Sequence, residues 1–224
     1  MEHTVSGVGV LDKSIAVLLR LETGPASLAD LVRDLELSKP TAHRLAAAME
    51  CHGLVRRDTG GRYVLGVRLV ALGRAAAEAL PLGTAAAPAL RELRDQTGES
   101  VQLYVADGER RVCVAALESP HGLRTIVAMG ASLPINQGSA GKVLRSEPSA
   151  VRRGWAESVG EREAGVASVS APVGDGLGEV VAAVSVSGPI ERTTRNPGRK
   201  YADAVLEAAR TIEAAIQAGN VAAP

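Results

Sequence analysis

The sequence predicts an α+β protein in two parts, a helical first third and a longer remainder built around an antiparallel sheet. Three observations carry this. Apolar residues recur at helical spacing through the first fifty positions. Two β-prone pieces, 54–57 and 62–65, then flank "DTGG", whose glycines permit the positive φ of a tight turn. From Glu99 onward the apolar period shortens to two.

Each element can be read in order. In "LDKSIAVLLRLE", Asp12 is expected to cap a helix whose stripe is Ile15, Leu18 and Leu19. In "SLADLVRDLEL", Ser27 and Asp30 have capping-box spacing, and Leu28, Leu31 and Leu35 share a face. Ser38 is placed to cap a third helix, and Pro40 falls in its first turn, where a missing N–H costs little. With the hairpin, this is the order of a winged helix-turn-helix. A connecting helix follows over "VRLVALGRAAAEAL", then a helix in "AAAPALRELRDQTG" with Pro88 near its start and Gly98 as its stop. Strands are expected in "SVQLYVADGERRVCVAAL", in "LRTIVAMG" and in a hairpin around "GDGLG". Short helices are expected near "GSAGKVL" and "SAVRRGWAES", and "YADAVLEAARTIEAAI" is a closing amphipathic helix, with the helices on one side of the sheet. The expected divisions are 7–67, a linker helix 68–81, and 82–219.

Composition narrows the function. Among 224 residues, 25 Lys and Arg balance 25 Asp and Glu, so any electrostatic site must be local. The N-terminus lacks a basic region followed by an apolar core, and no apolar run approaches the length of a membrane span, so a cytoplasmic protein without a membrane partner is expected. Cys51 and Cys113 have neither CxxC nor Cys/His spacing. Two free thiols are expected in preference to one disulfide between them, with no metal and no cofactor.

The third helix is the informative one. On a helical wheel Ala42, Leu45, Ala46 and Met49 form one side, while Pro40, Arg44, Ala47 and Cys51 lie opposite, flanked by Thr41 and His43. Hydrogen-bonding groups early and small residues later suit insertion into a DNA major groove, where bulk further along would meet the sugar-phosphate wall. From Ser38 to Arg68 there are six Lys or Arg against two acids. The candidate double-stranded DNA contacts are therefore Ser38, Lys39, Thr41, His43, Arg44, Arg56, Arg57 and Arg62, the last three gripping phosphates or probing the minor groove from the hairpin.

In the second part, Val166, Ser168 and Ser170 share a face, as do Ala183, Ser185 and Ser187, while Val184 and Val186 point the other way. One face of the sheet is thus aliphatic and the other carries hydroxyls, either simply solvated or facing a ligand. "NQGSAGK" adds a glycine-rich turn opening a helix, whose backbone N–H groups suit a carboxylate; Arg124 is a further candidate. Hydroxyls with such a turn would hold a small organic acid or amino acid. Enzyme readings fare worse. "NQGSAGKV" is not a P-loop, "SAGK" matches Ser-x-x-Lys without the motifs that should follow, and His121 has no Ser or Asp partner.

"GVGVLDKS", "LSKPTAHRLAAAMECHGLVRRD", "GRYVLGVRL", "ESVQLYV", "GLRTIVAMGASLPINQGSAGKVL", "RRGWAES" and "VAAVSVSGPIER" resemble the IclR family of bacterial transcription regulators, from about Gly7 to Gln217. "RRGWAESVGEREAGVASVSAPV" and "GPIERTTRNPGR" are similar to actinobacterial members tied to leucine and related amino-acid biosynthesis. The resemblance implies a homodimer through the N-terminal domains and linker, a dimer of dimers through GAF-like effector domains, and operator binding altered by a metabolite. Carried over by motif, the effector contacts are Leu123, Thr125, Ser139, Ala140, Ser158, Ser168, Ser185 and Ser187. Only "RSEPSAV" separates "GKVL" from "RRGWA", shorter than the family's usual segment there. That leaves a rival in which the second domain only oligomerises.

Overall fold

The structure, a computed structural model, describes residues 6–78, 81–175 and 177–218. Ala79 and Leu80 of the expected linker, Gly176 of the expected "GDGLG" turn and residue 219 lie outside the described residues. The chain divides into two compact units, 1–76 and 77–224.

The first unit holds α1 (Gly9–Glu22), α2 (Leu28–Asp34), α3 (Lys39–Cys51), the hairpin β1 (Val55–Arg57) and β2 (Tyr63–Leu65), and most of α4 (Val67–Glu78). α2 has the expected capping box, with the Ser27 hydroxyl accepting from Asp30 N–H and Asp30 accepting from Ser27 N–H. The Ser27 hydroxyl also donates to the Asp30 carboxylate at 2.7 Å, and that bond, followed by those from the Ser27 N–H and Arg33, lowers the Asp30 carboxyl to about 2. Ser38 caps α3, accepting from Thr41 N–H at 3.4 Å. α1 departs from expectation. Val8 stands at its N-cap, and Asp12, inside the first turn, instead accepts from the Ser6 N–H and hydroxyl. Its buried residues are Val17 and Leu21, with Leu18 partly covered, while Ile15 of the expected stripe is exposed. α2, α3 and the hairpin cover a face rotated from that stripe: Leu31, Ala46, Met49, Val55 and Tyr63 close the core around Val17 and Leu21.

The second unit is a six-stranded antiparallel sheet of β3 (Ser100–Asp107), β4 (Arg110–Leu117), β5 (Ser132–Pro134), β6 (Ala156–Val159), β7 (Val166–Gly174) and β8 (Val180–Pro189), in the order β5-β4-β3-β8-β7-β6. Helices cover both faces rather than one. α5 (Pro81–Thr97) and α9 (Pro197–Ala218) pack on the aliphatic face, around Leu90, Leu93, Leu103, Val169, Val184, Val186, Val205 and Ile212. α6 (Gly138–Leu144) and α7 (Pro148–Arg153) lie on the other face, and α8 (Ile190–Thr193) follows β8. α5 starts earlier than expected, so Pro88 lies inside it. "LRTIVAMG" is not a strand. β5 forms just beyond it, where Arg111 and Arg110 pair with Leu133 and Pro134. "AES" at 156–158 is an edge strand, not helix, because Gly154 at φ 74° ends α7 and turns the chain onto β7.

Candidate functional site

The outward face of α3 is as the wheel predicts. Ala42, Leu45, Ala46 and Met49 are buried, and Lys39, Pro40, His43, Arg44, Ala47, Ala48 and Cys51 are exposed. Thr41 is half-buried, and its hydroxyl lies 2.8 Å from that of Ser38, so these two candidates also hold the start of the helix. Ion pairing then sorts the basic residues. Arg57 pairs with Glu50 at 3.5 Å, and Arg62 donates to Asp58. Lys39, Arg44, Arg56 and Arg68 have no ion pair among the described residues, so the surplus positive charge rests on them. The bonds from Arg62 N–H, and then its side chain, hold the Asp58 carboxyl below the usual carboxylate range.

The hydroxyl face of the sheet is enclosed, not solvated. Strand register aligns its residues in two rungs. Ser158, Ser168, Ser187 and Ser100 run across β6, β7, β8 and β3, and Ala156, Ser170, Ser185 and Gln102 form the next rung. Ser139 on α6 closes over them, its Oγ 2.7 Å from those of both Ser168 and Ser170. Ser170 donates to Ser185, and Ser187 to Gln102 Oε1, each at 3.0 Å. Gly141 lets the β5–α6 connection lie against α6: a Cβ there would stand 2.0 Å from the Ile135 carbonyl.

A cavity of about 30 Å³ lies between α6 and these rungs. Of the expected effector contacts, Ser139, Ala140, Ser158, Ser168, Ser185 and Ser187 line it. Leu123 and Thr125 do not. Leu123 is 69% exposed on the β4–β5 connection, and Thr125 is buried there with its carbonyl accepting from Ser100. Arg124 is also outside, paired with Glu118 at 2.6 Å. Five lining residues were not singled out in the sequence: Gln102, Tyr104, Arg111, Arg162 and Glu163. The buried Arg111 guanidinium lies 5.3 Å from the Tyr104 ring centroid. Its Nη1 donates to the Pro134 and Gln137 carbonyls, and its Nε has no partner. The turn that opens α6 is already occupied, since Gly138 N–H donates to the Glu161 carboxylate at 3.2 Å and Lys142 donates to its other oxygen.

Two family models match this chain. "IclR helix-turn-helix domain" covers 10–59, and "Bacterial transcriptional regulator IclR C-terminal" covers 74–151 and 148–214. The chain belongs to the IclR family. It is a DNA-binding transcriptional regulator of that family, and not an enzyme. The IclR C-terminal model matches in two pieces that overlap at 148–151, within α7. This IclR-family chain is 26% identical to the HTH-type transcriptional regulator KipR of Bacillus subtilis, over 89% of this chain and 95% of that one. It is 28% identical to the glycerol operon regulatory protein of Streptomyces griseus, over 94% and 97%. The fold matches an IclR homolog from Microbacterium hydrocarbonoxydans solved with 4-hydroxybenzoate, at TM-score 0.75, 23% identity and 93% and 99% coverage. The Ser139 hydroxyl bonds serines, while Lys142 of the "SAGK" match bonds the Glu157 carbonyl and Glu161. Among the described residues no cluster could hold a metal, and no helix is long and apolar enough to cross a membrane.

Proposed function

We propose that this regulator binds operator DNA as a dimer and that a small metabolite in the α6 cavity changes that binding. α3 enters the major groove, with Lys39, Thr41, His43 and Arg44 toward the bases and Ser38 fixing the start of the helix. The hairpin residues Arg56, Arg57 and Arg62 lie along the phosphates. The working divisions are 7–67 for DNA, 68–81 as linker, and 82–219 for effector binding and assembly.

The observation that carries the effector half is the pair of hydroxyl rungs enclosed beneath Ser139, a polar surface that sheet packing alone does not require. A small organic acid or amino acid suits it, and the homolog holding 4-hydroxybenzoate lends support. Control of amino-acid metabolism genes rests on the resemblance of "RRGWAESVGEREAGVASVSAPV" alone, since the relatives compared carry other names.

Support for the dimer comes from α4. None of residues 67–77 is buried, and Val67 and Val70 are each 74% exposed. A lone helix of 12 residues is marginal in water, so its apolar side calls for a second copy. The cavity's small volume favours a second reading, in which the C-terminal unit only assembles the protein. Mapping bound promoter fragments with and without amino acids and their oxo- and hydroxy-acid precursors decides between them. Fragments whose occupancy changes with a metabolite establish the first reading; occupancy indifferent to the whole panel establishes the second.

A further inference from the structure

The cavity contains a cation that no carboxylate among the described residues neutralises. Arg111 is 3% exposed, its Nε is unpartnered, and among the described residues no carboxylate pairs with it. Burial pulls its guanidinium below the usual arginine range, and nearby Arg162 acts in the same direction against a smaller opposing influence of Tyr104 than burial itself. Arginine nevertheless stays charged at neutral pH. A buried charge without a counter-ion is unfavourable, and an anion supplied from outside removes that cost. The other charged groups lining the cavity, Arg162 and Glu163, pair with each other at 3.4 Å. What the cavity lacks is therefore one negative charge. The turn opening α6 does not compete for it, because Glu161 already fills that position.

We propose that Arg111 reads the effector, its guanidinium pairing with the carboxylate of a small acid of net charge −1 while the serine rungs bind that acid's remaining oxygens. The assignment rests on the effector reading above and sharpens it. A free amino acid, with no net charge, leaves the Arg111 charge unbalanced, so plain acids are preferred to amino acids. The volume of about 30 Å³ confines ligands that enter without rearrangement to very short chains.

The test is titration calorimetry of the full chain with acetate, propionate and lactate, against acetamide, propionamide and lactamide of nearly the same shape, and against glycine and alanine. The wild type should bind the acids about tenfold or more tightly than the amides, as charge-assisted bonds imply. Arg111→Gln should lose that difference, and Arg111→Lys should keep part of it. Arg111 also holds the Pro134 and Gln137 carbonyls, so thermal melts of both variants accompany the titrations. Retention of the charge preference by Lys but not by Gln at matched stability separates ligand reading from support of that turn. Equal binding of acids and amides, or an acid preference that survives in Arg111→Gln, overturns the role of Arg111 and leaves a ligand-responsive regulator standing. Silence toward every probe overturns both.

Discussion

The Arg57 guanidinium lies 4.4 Å from the Tyr63 ring centroid, and its Nη2 donates to the Tyr63 hydroxyl at 2.7 Å. Across the pleat, Arg56 is exposed and has no such partner among the described residues. The two neighbouring arginines should therefore behave differently. Arg56→Ala should weaken binding to cognate and random duplex alike and reduce the salt slope by about one. Arg57→Ala should loosen the hairpin, by about 0.5–1 kcal/mol, the scale of an exposed cation–π contact, and should lower the salt slope by less than Arg56→Ala does, because Glu50 and Tyr63 already hold its guanidinium. Anisotropy titrations across a salt series, with melts of each variant, check the pair; matching slopes for both would refute the division.

Arg44 is exposed on α3 and packs in no core, so its replacement should leave folding intact. If it reads a base, Arg44→Ala costs about 1–3 kcal/mol on the bound promoter site and relaxes the preference at one position. Competition between that site and single-base variants measures this. An equal loss on scrambled duplex would make Arg44 a phosphate contact instead.

Placing a charge on the uncovered side of α4 should separate the protomers. Val70→Glu is expected to shift sedimentation toward monomer and to weaken DNA binding, because one recognition helix then meets one half-site. A Val70→Glu protein that sediments as wild type does would remove α4 from the interface.

Glu99 is 2% exposed, and Arg192 holds it at two points, Nε to Oε1 and Nη2 to Oε2, both 2.8 Å. Glu99 lies against Gly188, where a Cβ would come within 2.3 Å of its Oε2. Arg192→Met leaves that carboxylate buried and unpaired, an expected loss of about 3–5 kcal/mol in urea melts. Glu99→Gln added to Arg192→Met should recover part of it, since no charge then remains buried.

The two thiols should react unequally. Cys51 is exposed, whereas Cys113 is buried and its thiol is pushed up to about 12, chiefly by burial. At pH 8 the Cys113 thiol thus stays protonated and is a poor nucleophile. Mass spectrometry should find one alkylated cysteine per native chain and two in denaturant.

Much of the fold was legible because its elements are local. The Ser27–Asp30 box, the Ser38 cap and the buried side of α3 each follow from residues within a few positions of one another. The serines facing one side of β7 and β8 followed from period two alone. Arg111 did not. Counted back by twos from Leu117, it falls with the residues of the aliphatic face. A register irregularity opposite Leu103 and Tyr104 shifts the alternation, so Val114 and Ala115 both face α5 and α9, while Cys113 and Arg111 turn toward α6. The strand expected at "LRTIVAMG" did not form, since backbone bonding to β4 begins only at its last residue, where Gly130 N–H donates to the Cys113 carbonyl, and becomes a ladder at Ser132–Pro134.

Sequence alone determined the helix-turn-helix and its basic hairpin, because caps, turn glycines and helical periodicity act over a few residues, while the family followed from the resemblance of its motifs. Tertiary structure decided which arginines are taken up by acids, that helices cover both faces of the sheet, and that an unpaired guanidinium lies against the serine rungs. Those outcomes depend on strand register and on contacts between residues far apart in the chain, and no local pattern encodes either.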